Sequence, residues 1–145
     1  MPFRLSALLV ATVAGLAQTP TMKQLMLDLI HPSSNEILLM VNRAGPANEA
    51  EWAAARHSAL TLAESGSLLA SRAPAGNAAD WARNASLLAD AGAAAYKAAL
   101  AKDPAALAAA ADAIDRSCTA CHKQFRPDVF PAGGRLGATP QGSLQ

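Results

Sequence analysis

The chain has 145 residues with 12 basic and 11 acidic side chains, so it is nearly neutral. Its Lys and Arg residues stand singly, which argues against a nucleic-acid partner, since such a partner needs a basic stripe or cluster. Alanine dominates and aromatic residues make up only 4%. With few β-branched residues and no alternating apolar run, the composition excludes a sheet protein and points to an all-α fold of close-packed helices.

Residues 1–17 read as a secretory signal peptide. Arg4 is the only charge ahead of an apolar run from Leu5 to Ala17, broken only by Ser6, Thr12 and Gly15. That run is too short for a spanning helix, which needs about 20 residues. Gly15-Leu16-Ala17 supplies the small-x-small ending that a signal peptidase requires, making Gln18 the new N-terminus. The expected location is the bacterial periplasm, with no membrane span in the mature chain. Removing 17 of the 145 residues leaves 128, and losing Arg4 leaves 11 basic against 11 acidic side chains. A neutral chain of that length suits one domain with one core, placed at residues 18–126.

The first helix is expected from about Pro20 to Val41. Met22, Met26, Leu29 and Ile30 share its inward face, and Leu25 flanks them. Pro32 falls inside the pattern and should kink the helix or split it. A loop with Gly45-Pro46 leads to a second helix from about Glu49 to Ser71. Trp52, Ala55, Ala59, Leu62, Gly66 and Leu69 form its stripe, in the three-four spacing of a bundle seam. After a turn containing Pro74 and Gly76, a third helix should run from near Ala78 to near Ala101 on Trp81, Ala85, Leu88, Gly92, Ala95 and Ala99. Glycine costs roughly 1 kcal/mol against alanine inside a helix. Gly66 and Gly92 in the seams therefore ask for a reason, either close helix packing or clearance for something bulky and flat.

Asp103-Pro104 opens the fourth helix as N-cap and first helical residue. Its inner stripe is Leu107, Ala111, Ile114, Cys118, Cys121 and Phe125, and Pro127 ends it by disfavouring helix at Arg126. Residues 127–145, rich in Gly and Pro and without periodicity, read as a flexible C-terminal tail.

Both cysteines of the chain lie on this fourth helix, in Cys118-Thr119-Ala120-Cys121-His122. A C-x-x-C-H run reads as a c-type haem attachment site. Two thiols three residues apart can each form a thioether with a haem vinyl group, and the adjacent imidazole reaches the iron. On a helix the three side chains share one face. A zinc site would need further Cys or His ligands at paired spacing, and a thioredoxin-like dithiol would sit in a βαβ pattern that this chain lacks.

Four helices with short connections, and a haem motif on the last of them, resemble the class II cytochromes c. The resemblance covers about Thr19 to Arg126 and is most specific over Ser117-Cys118-Thr119-Ala120-Cys121-His122-Lys123-Gln124-Phe125-Arg126. It implies an up-down-up-down four-helix bundle with a C-terminal haem-attachment helix and one covalent haem c. It also implies His122 as the proximal iron ligand and Arg126 near the proximal haem face. On spacing alone, Arg126 is a solvated cation at a helix C-terminus.

Within that family the sixth iron position divides two functions. In low-spin members a methionine of the first helix binds iron and the protein is a one-electron carrier. In the five-coordinate type an apolar residue guards an open site that takes nitric oxide or carbon monoxide. Lys23-Gln24-Leu25-Met26, with Pro32 six residues beyond the methionine, is similar to the low-spin pattern and marks Met26 as the distal ligand. Met22, one turn earlier on the same face, is its rival. His31 and His57 fall away from the inward stripes and should face solvent. No second histidine or carboxylate groups above the haem, so substrate-directed acid–base chemistry lacks its players and no enzyme is expected. Glu64, Asp90 and Asp112 look like solvated faces. The expected partners are redox proteins or small gaseous ligands, and the resemblance allows a homodimer.

Overall fold

A computed structural model describes residues 19–128. The proposed signal peptide, and all of the proposed tail beyond Asp128, lie outside the described residues. Every regular element among those described is helical, and four helices pack against one another. Each helix contacts its neighbours in sequence, and the first also packs on the fourth. No helix among the described residues is long and apolar enough to cross a membrane.

The first helix starts at a capping box. Thr21 Oγ1 accepts from Gln24 N at 3.2 Å, and Gln24 Oε1 accepts from Thr21 N at 2.9 Å, which satisfies two of the amides a helix start leaves open. The chain is α-helical over Met22–Leu25, widens into a π turn over Met26–Ile30, and returns to α-helix over His31–Asn42. Pro32 is the physical reason. It has no N–H for the carbonyl four residues back, and its ring crowds that carbonyl. The backbone opens just ahead of it, His31 N–H reaches Met26 O five residues back, and the helix continues. Pro32 thus neither ends nor splits the helix. The extra residue in that turn also resets the buried face, which runs Leu25, Ile30, Ser34, Ile37, Met40, with a five-residue first step. Leu25 therefore sits at the centre of the stripe, and Met22, Met26 and Leu29 are half-buried at its edges. This reverses the expected order, in which Leu25 flanked the methionines.

The second helix, Glu49–Ala70, is capped by Asn48, whose side chain accepts from Glu51 N at 3.0 Å. The third spans Ala78–Ala101 and the fourth Pro104–Phe125. Between them Lys102 takes a left-handed conformation (φ 52°) and pairs with Glu49 at the start of the second helix. Asp103 caps the fourth helix as its sequence suggests, accepting from Ala105 N and Ala106 N, each at 3.0 Å.

The core is built largely of alanine. Ala55, Ala59, Ala95 and Ala99 are fully buried, as are Leu62, Leu107 and Ile114. A methyl group buries little area, so such a seam gains by letting backbones approach and multiplying close contacts. The two seam glycines serve that approach. A Cβ on Gly66 would lie 2.6 Å from Ala89 Cβ and 3.0 Å from Ala85 O, and one on Gly92 would lie 2.8 Å from Leu62 C and 2.9 Å from Ala63 Cα. Of the two reasons open from sequence, close packing of the second helix on the third is the one that holds. Every buried side-chain nitrogen and oxygen among the described residues has a hydrogen-bond partner. Ser65 and Ser117 donate to carbonyls of their own helix, and Ser58 donates to Glu36 across the first and second helices.

Candidate cofactor site

The stripe of the fourth helix is fully buried through Ile114, and exposure rises over its last two turns. Cys118, Cys121 and His122 lie there, three half-buried side chains within five consecutive residues. Both thiols are free, and Cys118 packs against the core. Burial pushes both thiols up from their ordinary range, more than a contact from Ser117 draws Cys118 back. The His122 imidazole is pushed the other way, because burial and the charge of Arg126 both disfavour its protonated form. At neutral pH the trio therefore presents two protonated thiols and a neutral imidazole.

Arg126 follows directly. Its N–H donates to His122 O at 2.7 Å and closes the helix. Its side chain is exposed and faces Asp128 at 3.4 Å. Lys123 and Arg116 are exposed on the same stretch. His31 and His57 are exposed, as their spacing implied, and so are Glu64, Asp90 and Asp112.

A shallow, open cleft of about 680 Å³ lies at this end of the bundle. Its walls come from Thr19 to Met22 at the start of the first helix, the loop residues Arg72, Pro74 and Asn77, Trp81 of the third helix, and Gln124 and Phe125 of the fourth. Met22, Pro20, Pro74, Trp81 and Phe125 make it mainly apolar, and Arg72 is its cation. The structure thus places Cys118, Cys121, His122 and Arg126 on the helix end whose Gln124 and Phe125 wall this cleft, but none of the four lines it. Met22 lines the cleft, whereas Met26, half-buried against the core one turn later, does not. Among the described residues no three His, Cys, Asp or Glu side chains are grouped to hold a metal ion by themselves.

Sequence reasoning missed the residues that fasten this helix end. Asn84, in the third helix, is buried and donates to Asp80 O and to Gln124 Oε1. Trp81 meets Phe125 edge-to-face, with ring centroids 4.9 Å apart. The only signal in the sequence was polarity, an Asn one position before the stripe residue Ala85.

Compared with known protein families, with characterised proteins and with solved structures, the chain finds no match.

Proposed function

We propose that the chain is an exported, periplasmic class II-type cytochrome c, an up-down-up-down bundle that carries single electrons on one haem c. Cys118 and Cys121 would hold the haem, with His122 as proximal and Met26 as distal iron ligand. The observation that carries this reading is the trio itself, two thiols and an imidazole half-buried on the helix end whose Gln124 and Phe125 wall a mainly apolar cleft. A bare metal ion would need more protein donors than this end offers, but a porphyrin brings its own four nitrogens and asks the protein only for axial groups. The ends of helices that meet at the cleft, and the short links between them, support alternating helix directions.

The chemistry asked of the two thiols and the imidazole fits their state. Each thiol would hold the haem by adding across one vinyl group, its sulfur bonding one carbon and its hydrogen passing to the other, an addition that needs no oxidant. Protonated thiols are poor metal ligands, which leaves the iron to the neutral His122 imidazole. Arg126, beside His122, favours that neutral form and would lie near the proximal face. When bound, the haem supplies a ferric–ferrous couple. The Met26 thioether would raise its potential and keep the coordination number constant as the electron moves. Half-burial leaves one side of the site accessible to a redox partner protein.

A second reading has one observation in its favour. The π turn leaves Leu25 at the centre of the buried stripe and Met26 at its edge. A first helix that turned Leu25 to the iron would leave an open position for nitric oxide or carbon monoxide. The wild-type spin state decides between them, and Met26→Leu, nearly volume-conserving and so sparing the core, tests Met26 as the ligand against Met22, which lines the cleft. The carrier reading expects a low-spin wild type with the far-red methionine–iron band and a high-spin, carbon monoxide-binding variant. A wild type already high-spin would overturn it in favour of the gas-binding reading.

A further inference from the structure

The last turn of the fourth helix is its least secured part. Its final carbonyls have no partner within the helix, Pro127 prevents continuation, and none of its residues after Ser117 is fully buried. Yet Cys121 and His122 sit there, and an axial ligand acts only if its helix turn holds one orientation.

Three residues at the start of the third helix grip that turn. Asn84 Nδ2 donates to Gln124 Oε1 at 3.0 Å and to Asp80 O at 2.9 Å. Gln124 Nε2 donates to Asp80 Oδ2 at 3.0 Å, and the other Asp80 oxygen pairs with Arg83. Both ends of the Gln124 amide are thus engaged by one neighbouring helix. Beside it, Phe125 and Trp81 meet edge-to-face at an interplanar angle of 74°. The Trp81 ring is itself fixed, its Nε1–H donating to Leu69 O at the end of the second helix. Residues 124 and 125 point about 100° apart around a helix axis. One contact would leave a pivot, whereas two in different directions stop the turn from rotating or fraying.

We infer that Asn84 and Gln124 are positioning residues, a polar clamp between the third and fourth helices that sets the orientation of the His122-bearing turn. The inference rests on the cytochrome reading in that His122 is taken as the iron ligand. Asn84 touches that turn through Gln124 and is not itself a ligand candidate. Its effect on the iron must therefore travel through the clamp.

The test uses Asn84→Leu, Gln124→Met and the double variant of the full-length chain, matured with haem, alongside wild type. Neither substitution changes a formal charge, but each removes an amide dipole, so a shift in potential counts for the clamp only together with the loss of exchange protection at Arg126, which the field of a lost dipole at the haem would not produce. Both single variants should retain covalent haem and helical content, shift the potential in the same direction and broaden the ferric spectrum. In the haem-free chain the Arg126 amide, which donates to His122 O, should lose about tenfold in hydrogen-exchange protection, the factor expected for one lost net hydrogen bond. The double variant should go no further than the worse single, as for two residues acting through one contact. Unchanged potential, spectrum and Arg126 exchange, or effects that simply add, would overturn the clamp while retained haem left the cytochrome reading standing. A wild type lacking covalent haem would instead sink that reading, and the exchange measurement would still decide whether the clamp holds the turn. Should Asn84→Leu not fold, Gln124→Met, at an exposed position, decides alone.

Discussion

Gly92→Ala sets two opposed effects against each other at the seam of the second and third helices. Alanine is favoured over glycine by roughly 1 kcal/mol inside a helix, so propensity alone would raise stability. The new Cβ, however, would lie 2.8 Å from Leu62 C and 2.9 Å from Ala63 Cα, and closer still to Ala63 N. Carbon atoms pack best at about 3.5–4.0 Å, and backbone cannot rotate aside as a side chain can. The two helices must part by about 1 Å along an otherwise close seam. Overpacking of this kind costs about 1–3 kcal/mol, and backbone on both sides argues for the upper end. The net loss should be about 2 kcal/mol, or about 8 °C in Tm at roughly 4 °C per kcal/mol for a domain of this size. Thermal unfolding followed by far-ultraviolet circular dichroism reads it directly, with the visible spectrum as a second channel. A melting point unchanged or raised would refute the close approach. A shifted haem spectrum with normal melting would mean that the glycine clears space for the cofactor instead.

Asp103→Ala removes the acceptor for two amides at the start of the fourth helix and should cost about 1 kcal/mol in urea unfolding. Asp103→Asn, which still caps, should cost almost nothing. The thiols give a pH prediction. Thiolate is the reactive form, and burial raises both pKa values in the folded chain. Alkylation of folded, haem-free protein should therefore reach half its maximal rate at a higher pH than in urea, where the midpoint should lie near the ordinary thiol value of about 8.5. A folded-state midpoint at or below the one in urea would contradict the burial of these side chains.

Most of the helical layout was legible because apolar spacing and cap residues act locally. Asp103-Pro104 and the three-four stripes of the second and third helices mark the right segments, and those stripes are buried apart from Trp81, which is half-buried. Three features were not legible, each for a physical reason. Pro32 removes one donor, but whether the backbone kinks, breaks or opens into a π turn depends on what the flanking turns pack against. That choice then moved Leu25 to the centre of the buried face at the expense of Met26. Gly66 and Gly92 carry no side chain to show a preference, so only the facing backbone distinguishes close packing from clearance. The Asn84–Gln124–Asp80 contacts join residues some 40 positions apart, and stripes drawn from apolar residues pass over polar pairs. The Cys118, Cys121 and His122 grouping needed only helical spacing, and so it was readable before any fold.

Covalent haem is the claim on which the functional reading stands. Exported protein, matured with a working cytochrome c assembly system, should be denatured, extracted with acid–acetone and weighed by mass spectrometry. The expected result is a chain cleaved after Ala17 and heavier by one haem, with Cys118 and Cys121 both blocked to alkylation. A chain that gives up its haem to the solvent and leaves two free thiols would contradict it.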